Sequence, residues 1–306
     1  MQTLDDLGAP ELRARLQGGS LRLRVGPYTY AIQSPVPSIA EGVLRLYRDF
    51  PLAAPDGFAD YHIALRPANT LQRLRRRIDF HLDGHRPFNR IVPEHAYAFL
   101  EWGMNWCVSV TANEYLKLHA AVVAKGGIVL LMPGLPGAGK STLCAALALH
   151  GWRVLSDEHA LVVPGTANIV PLPRPISLKN ASIELVRGLD RRVVLGPVSH
   201  DTHKGTVAHM KADLVADSHD PAPLPARLLI FPRYAADTHC RLGARSKAES
   251  FMFAAHHAFN YSLLGERGFN AMCTLIDALD CYSLHYSDLD AAISTVERLH
   301  REALGK

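Results

Sequence analysis

Apolar and polar residues alternate over Leu21-Arg-Leu-Arg-Val25 and again over Tyr28-Thr-Tyr-Ala-Ile32, with Gly26-Pro27 between them. A period of two predicts half-buried strands, and the Gly-Pro pair predicts the turn of a hairpin. The spacing then becomes helical over residues 37–47, with Ser38 as the expected cap. Tyr61-His-Ile-Ala-Leu65 and residues 76–81 read as further strands, and residues 96–111 as a helix. Residues 1–115 therefore read as an N-terminal α+β region. No catalytic motif occurs in it, which suits an accessory region for substrate or oligomer contacts.

From about Leu118 strands and helices alternate. His119–Ala124 and Ile128–Met132 flank Lys125-Gly126-Gly127, a hairpin-type turn. Residues 142–149 are strong helix formers, and Gly151 stands where a helix-ending glycine belongs. Residues 152–157 form the next expected strand, which ends in acid. Residues 160–163 and 169–172 read as a β-turn-β unit around Gly165, and Leu228-Leu-Ile-Phe231 as a buried strand. Helices are expected near 246–259, 265–279 and 289–303, with a strand at Cys281–Tyr286 and an exposed loop at 213–225. The expectation is an α/β fold, with a catalytic domain over residues 116–306.

Between that strand and that helix lies Gly134-Leu135-Pro136-Gly137-Ala138-Gly139-Lys140-Ser141, which fits the phosphate-loop pattern G-x-x-x-x-G-K-[ST]. Glycines allow successive backbone N–H groups to turn inward around a polyphosphate, and the following helix points its positive end at that charge. Lys140 would reach the β- and γ-phosphates of ATP, and the Ser141 hydroxyl would ligate Mg²⁺. Thr142 completes the nucleotide-facing run.

Asp157 and Glu158 end the strand after the phosphate-loop helix, 17 and 18 residues beyond Lys140. In a parallel sheet the carboxyl ends of neighbouring strands meet one crevice, so these acids would aim at the γ-phosphate region. A carboxylate there can hold Mg²⁺ or accept a proton from an attacking hydroxyl.

Composition adds boundaries. The 306 residues carry a net charge of +4, too mild to argue for a nucleic-acid partner, and the run Arg73-Leu-Arg-Arg-Arg77 reads as a solvated helix face. Five widely spaced cysteines without a C-x-x-C pair argue for a reducing compartment. The sixteen histidines, including His256-His257, make no H-E-x-x-H or equivalent ligand set. An acidic, polar start and the lack of any apolar run of spanning length favour a cytoplasmic protein with no membrane partner.

The combined pattern Leu118-His119, Gly127-Ile-Val-Leu-Leu131, Gly134–Ser141 and His150-Gly-Trp-Arg-Val-Leu-Ser-Asp157-Glu158 resembles the HPr kinase/phosphorylase family over about 40 residues. Pro173–Asn180, His203-Lys-Gly-Thr-Val-Ala-His209, Phe231-Pro-Arg-Tyr234 and Asn260–Gly268 look like its branch called HprK-related kinase A. The resemblance implies a phosphate-loop kinase core of the HPr kinase C-terminal type, a mixed sheet with flanking helices. It implies that His119 is the active-site histidine, that Lys140 and Ser141 serve phosphate and magnesium, and that Asp157 takes the proton from a substrate serine. Glu158 occupies the second aspartate position, which the family associates with the metal, and is one methylene longer. The family's later Gly-Arg-Asn segment, which belongs to HPr recognition and dephosphorylation, is not found here.

These readings make ATP-dependent phosphorylation of a hydroxyl the leading expectation, with a serine of a peptide or small protein as acceptor and, by analogy with the branch, a PqqD-type peptide chaperone as partner. A homo-oligomer is a reasonable expectation from the same resemblance. A small-molecule hydroxyl kinase and a non-catalytic ATP-binding regulatory module are the alternatives. Three further cations are candidates to meet substrate or phosphate: Lys179, expected at a helix start; Lys204, in a flexible loop; and Arg233, after the strand at 228–231. That strand leads into Pro232-Arg233 rather than an acid, which disfavours a nucleic-acid motor.

Overall fold

The computed structural model describes residues 2–305 except 68, 75, 213–218, 220 and 221, and except the side chains of 72 and 73. The basic run at 73–77 and the loop expected at 213–225 therefore lie partly outside the described residues. The chain divides into two compact units, Met1–Cys107 with Ser177–Lys211, and Val108–Ile176 with Ala212–Lys306.

The first stretch of chain forms α1 (Gly8–Gly18), β1 (Leu21–Val25), β2 (Tyr28–Gln33), α2 (Pro37–Leu46), β3 (Tyr61–Arg66), α3 (Thr70–Leu74), β4 (Asp79–Leu82) and α4 (Ala96–Thr111). The expected hairpin is present, with Val25 paired to Tyr28 across Gly26-Pro27. β3 then lies parallel to β2, and α2 supplies the crossover. Ser38 does not cap α2. Pro37 already has the backbone angle of a first helical residue, so the helix begins there and Val36, two positions before Ser38, is its N-cap. The strand expected at 76–81 starts later, at Asp79, because Arg76 has φ +50° and cannot continue a ladder.

Next come β5 (Leu116–Lys125), β6 (Ile128–Pro133), α5 (Lys140–Leu149), β7 (Arg153–Ser156), β8 (His159–Val162) and β9 (Asn168–Val170). Gly126 and Gly127 both have positive φ, +54° and +81°, which lets a two-residue turn join Lys125 to Ile128 with the twist the strands require. β10 (Ile176–Lys179), α6 (Ala181–Leu189), β11 (Ser199–Thr202) and β12 (Gly205–Met210) follow. They form their own three-stranded sheet, ordered β10-β12-β11.

That segment belongs with the first unit, so residues 116–306 are not one continuous domain. The reason is packing: Ser199 donates to the Glu94 carbonyl at 3.1 Å, Gly196 packs on the Leu46 side chain, and the His209 ring meets Tyr97 edge-on. Tyr47 and Tyr97 hydroxyls also share the buried Glu101 carboxylate, at 2.9 and 2.6 Å.

The chain ends with β13 (Leu224–Tyr234), β14 (Arg241–Ala244), α7 (Lys247–His256), α8 (Tyr261–Leu264), α9 (Glu266–Ala278), β15 (Asp280–Tyr286) and α10 (Leu289–Leu304). Ser246 and Glu249 cap α7 reciprocally. The large sheet runs β14-β15-β13-β6-β5-β8-β9, with β7 also on β5. A short β13–β9 pairing closes five of these strands into a ring. β13 is parallel to β6 and to β15, whereas β5 is antiparallel to β6, β7 and β8. The second unit is thus an α/β fold with a mixed sheet and flanking helices. Alternate β5 residues from Leu116 to Ala124 join Ala271, Met272, Leu275 and Ile276 of α9 in one apolar core. α5 is packed by β5 and α10, which explains why it is apolar nearly all round, from Leu143 to Leu149.

Candidate phosphate-binding site

β6 is buried from Val129 onward and stops at Pro133, after which the chain must turn into α5. Gly137 and Gly139 supply this turn with φ of +85° and +88°. Gly139 is the N-cap of α5 and no side chain caps it, so the first turn of the helix presents its amide N–H groups to the loop. Gly134 is buried, and Leu135, Pro136 and Gly137 form an exposed arc. Ala138 closes the loop internally through its N–H to the Leu135 carbonyl, 3.2 Å.

Two later strands hold the loop from outside. The Tyr234 N–H at the end of β13 donates to the Ala138 carbonyl at 3.1 Å. The Tyr286 hydroxyl at the end of β15 donates to the Gly139 carbonyl at 3.2 Å. Both are possible because β6, β13 and β15 run the same way and end together. Burial holds the Tyr286 hydroxyl well above the usual phenol range, so it stays a donor.

Lys140 is buried and folds back over the loop, with Nζ on the carbonyls of Gly134 (2.7 Å) and Leu135 (3.0 Å). The Ser141 hydroxyl donates to Asp157 Oδ2 at 3.1 Å. Asp157 is itself buried. The neighbouring parallel strands expected here are absent: β6 and β7 are not neighbours, but both are antiparallel to the β5 strand they share. Their C-terminal ends therefore lie at one edge.

The bend at Asp157-Glu158 is built by Ser156, whose hydroxyl accepts the N–H groups of Glu158 (3.3 Å) and His159 (2.9 Å). The Glu158 carbonyl accepts from Ala120 N–H at 3.2 Å, which keeps the bend on β5. The last pair of the β5–β6 ladder is Ala120 with Pro133, so His119 stands one residue beyond it, beside the start of the loop. His119 Nε2 lies 2.8 Å from Glu158 Oε2. The resemblance assigns metal to the second acid. The geometry brings Asp157, rather than Glu158, to Ser141, and gives Glu158 to His119.

Other histidines surround this pair. His159 faces His119 across the ladder and is buried, with Nε2 2.7 Å from the Ser109 hydroxyl and its ring 4.8 Å from Phe259. Burial, with lesser help from Arg174, His119 and Lys117, pushes its pKa down to about 3. The His257 carbonyl accepts the His119 N–H at 2.8 Å. Its imidazole is also held below the usual range, by burial first and then by His256, His119 and Lys140. Lys117, buried and pushed down to about 8 by burial, donates to the carbonyls of Val108 and Ser109 and to Asn113 at the end of α4. Asn260 ties this corner together by accepting from Lys117 N–H and donating to Asn113 and to the Tyr115 carbonyl.

The three extra cations separate. Arg233 is exposed on β13, next to Tyr234, in the same unit as the phosphate loop. Lys179 and Lys204 belong to the other unit. Lys179 ends strand β10 rather than opening a helix, because Asn180, at φ +52°, breaks the chain before α6. Lys204 sits in the tight β11–β12 turn, where Thr202 Oγ1 binds the Gly205 carbonyl and the Lys204 N–H. The loop expected to be flexible is a two-residue hairpin turn, with Thr202 paired to Gly205. Asn180 pairs with Thr206 through both backbone and side chain, which brings the Lys179 and Lys204 segments together.

Sequence reasoning missed Tyr286, Asn260 and His257 as parts of this site. Asn260 opens one of the segments that carry the resemblance. His256-His257 lies in no phosphate-binding pattern, so the sequence carries no signal for the His257 contact with His119. Tyr286 carries no local signal, because its contact spans 147 residues of sequence.

Ser141 and Asp157 place two hard oxygen donors side by side, which suits a small divalent cation that keeps most of its shell for phosphate and water. Among the described residues no group of three or more His, Cys, Asp or Glu side chains forms a protein-only metal site. Among them, too, no helix is long and apolar enough to cross a membrane. Neither a family model nor a curated protein matches this chain.

Proposed function

We propose that this protein is an ATP-dependent phosphotransferase that delivers the γ-phosphate to a hydroxyl, with an HPr-kinase-like core in its second unit. The observation that supports this most is the Ser141–Asp157 contact of 3.1 Å at the base of a glycine loop that also buries Lys140. Phosphoryl transfer needs positioning and charge neutralisation more than covalent chemistry. The loop N–H groups and the α5 N-terminus favour a polyphosphate. Lys140 Nζ would exchange its two loop carbonyls for phosphate oxygens. Ser141 and Asp157 would hold Mg²⁺, which supplies neutralisation of the charge on the transferring group. Tyr286 and Tyr234 keep the loop in shape for this role.

The acceptor class rests on resemblance and is proposed as a serine of a peptide or small protein, presented by a PqqD-type chaperone. The test is mass spectrometry of serine peptides, free serine and a protein pool after incubation with Mg-ATP. A gain of one phosphate on a peptide serine is expected. Phosphate on free serine alone would overturn the acceptor class. Nucleotide binding without transfer to any acceptor, and unchanged by Asp157→Asn, would instead identify a regulatory module.

A further inference from the structure

The two adjacent acids have different partners, although both sit in one bend. Asp157 is buried and receives the Ser141 hydroxyl. Glu158 is partly exposed, and its carboxylate meets His119 Nε2 at 2.8 Å. The His119 side chain is about one quarter exposed, and among the described residues its Nδ1 has no hydrogen-bond partner. The extra methylene of glutamate matters here, since the carboxylate must reach across the ladder from β7–β8 to β5.

We infer that Glu158 is a positioning residue that fixes the His119 imidazole with its proton on Nε2, and that His119 Nδ1 is the proton acceptor for the substrate hydroxyl. This rests on the phosphotransferase reading and divides the work of the acids differently: Asp157 serves the Ser141 side, and Glu158 acts through His119. A carboxylate bound to one ring nitrogen sets the tautomer and leaves the other nitrogen's lone pair as the base. In the step itself the acceptor O–H proton passes to His119 Nδ1. The oxygen lone pair forms the new bond to the γ-phosphorus. The bond from that phosphorus to the β–γ bridging oxygen breaks, and ADP leaves with the electron pair. The imidazolium, held by the Glu158 carboxylate, then releases its proton to water.

Phe259 and His159 support the same geometry. Phe259 lies against both rings, 5.7 Å from His119 and 4.8 Å from His159. Together with Glu158 it restricts the plane in which His119 can turn.

Two readouts on the full chain test this. Long-range proton–nitrogen NMR of ¹⁵N-labelled protein, with His119 assigned by comparison with His119→Gln, reports the tautomer without any substrate. The Nε2–H form is expected in the native chain, and a mixture in Glu158→Ala. A predominantly Nδ1–H ring in the native chain overturns the proposal, whether or not the protein proves to be a kinase. In the transfer assay with Mg-ATP, Glu158→Gln should lower kcat about 100-fold, with KM for ATP within twofold. A kcat within threefold of native would overturn the proposal. Absence of transfer by the native chain sinks the phosphotransferase reading on which the inference rests, and the role of Nδ1 as proton acceptor with it.

Discussion

The Tyr286 hydroxyl lies 3.2 Å from the Gly139 carbonyl and would lie 2.3 Å from a β-carbon at that glycine. One contact therefore demands glycine twice, through the crowding and through φ of +88°. Gly139→Ala should weaken nucleotide binding by tenfold or more and cost about 1–3 kcal/mol of stability. Calorimetric titration with ATP and a denaturant melt would check both numbers. Unchanged binding would show that the loop shape is not needed.

Tyr286→Phe keeps the ring against Tyr234 and removes only the hydroxyl bond to the loop. A loss of about 0.5–1.5 kcal/mol is expected. ATP affinity should fall a few-fold and far less than in Gly139→Ala, as measured by the same titration.

Asp157→Asn retains the shape of the side chain and loses its charge beside Ser141. Nucleotide affinity without magnesium should stay within about threefold. The gain in affinity on adding magnesium should shrink tenfold or more, because a neutral amide is a poor ligand for a hard cation. Titrations with and without the metal measure this directly.

His159 makes stability depend on pH with a definite sign. Its folded pKa is lowered from 6.5 to about 3, so the unfolded chain binds more protons between those values. Its contribution is present above pH 6.5 and is lost as pH falls toward 3. The full shift corresponds to about 5 kcal/mol. His159→Phe should flatten this part of the stability curve, while costing about 0.5–1.5 kcal/mol at pH 8 through loss of the hydrogen bond to Ser109. Denaturant melts at pH 4, 6 and 8 would show the slope.

Asn260→Ala removes three hydrogen bonds at a buried corner, those to Lys117, Asn113 and Tyr115. The left-over backbone groups should cost about 1–3 kcal/mol, read from the shift of the denaturant midpoint.

The elements near the site were legible because local chemistry dictates them. Gly126-Gly127 forces its hairpin, and the glycines of the phosphate loop force the turn into α5. Ser246 and Glu249 cap α7 without help from elsewhere. Where the reading failed, a neighbour decided. Pro37 moved the start of α2, Asn180 turned an expected helix start into a strand end, and Thr202 tightened an expected loop into a hairpin turn. The order of strands was hidden as well: β5 between β6 and β7 is a pairing choice that spacing does not reveal. For the same reason the sequence could put two acids near the loop but not assign Asp157 to Ser141 and Glu158 to His119.

Ser177–Lys211 is a 35-residue excursion from the second unit that folds with the first, so the backbone passes between the units at 107/108, 176/177 and 211/212. Cutting the chain at residue 116 would leave β10–β12 without Glu94, Leu46 and Tyr97 as packing partners. Excising the excursion and rejoining Ile176 to Ala212 is the cut that follows the covalent layout. In the intact chain both ends of the excursion are tethered, which limits the freedom it can gain by unfolding. Melting of the first unit should therefore be sensitive to whether the second is folded.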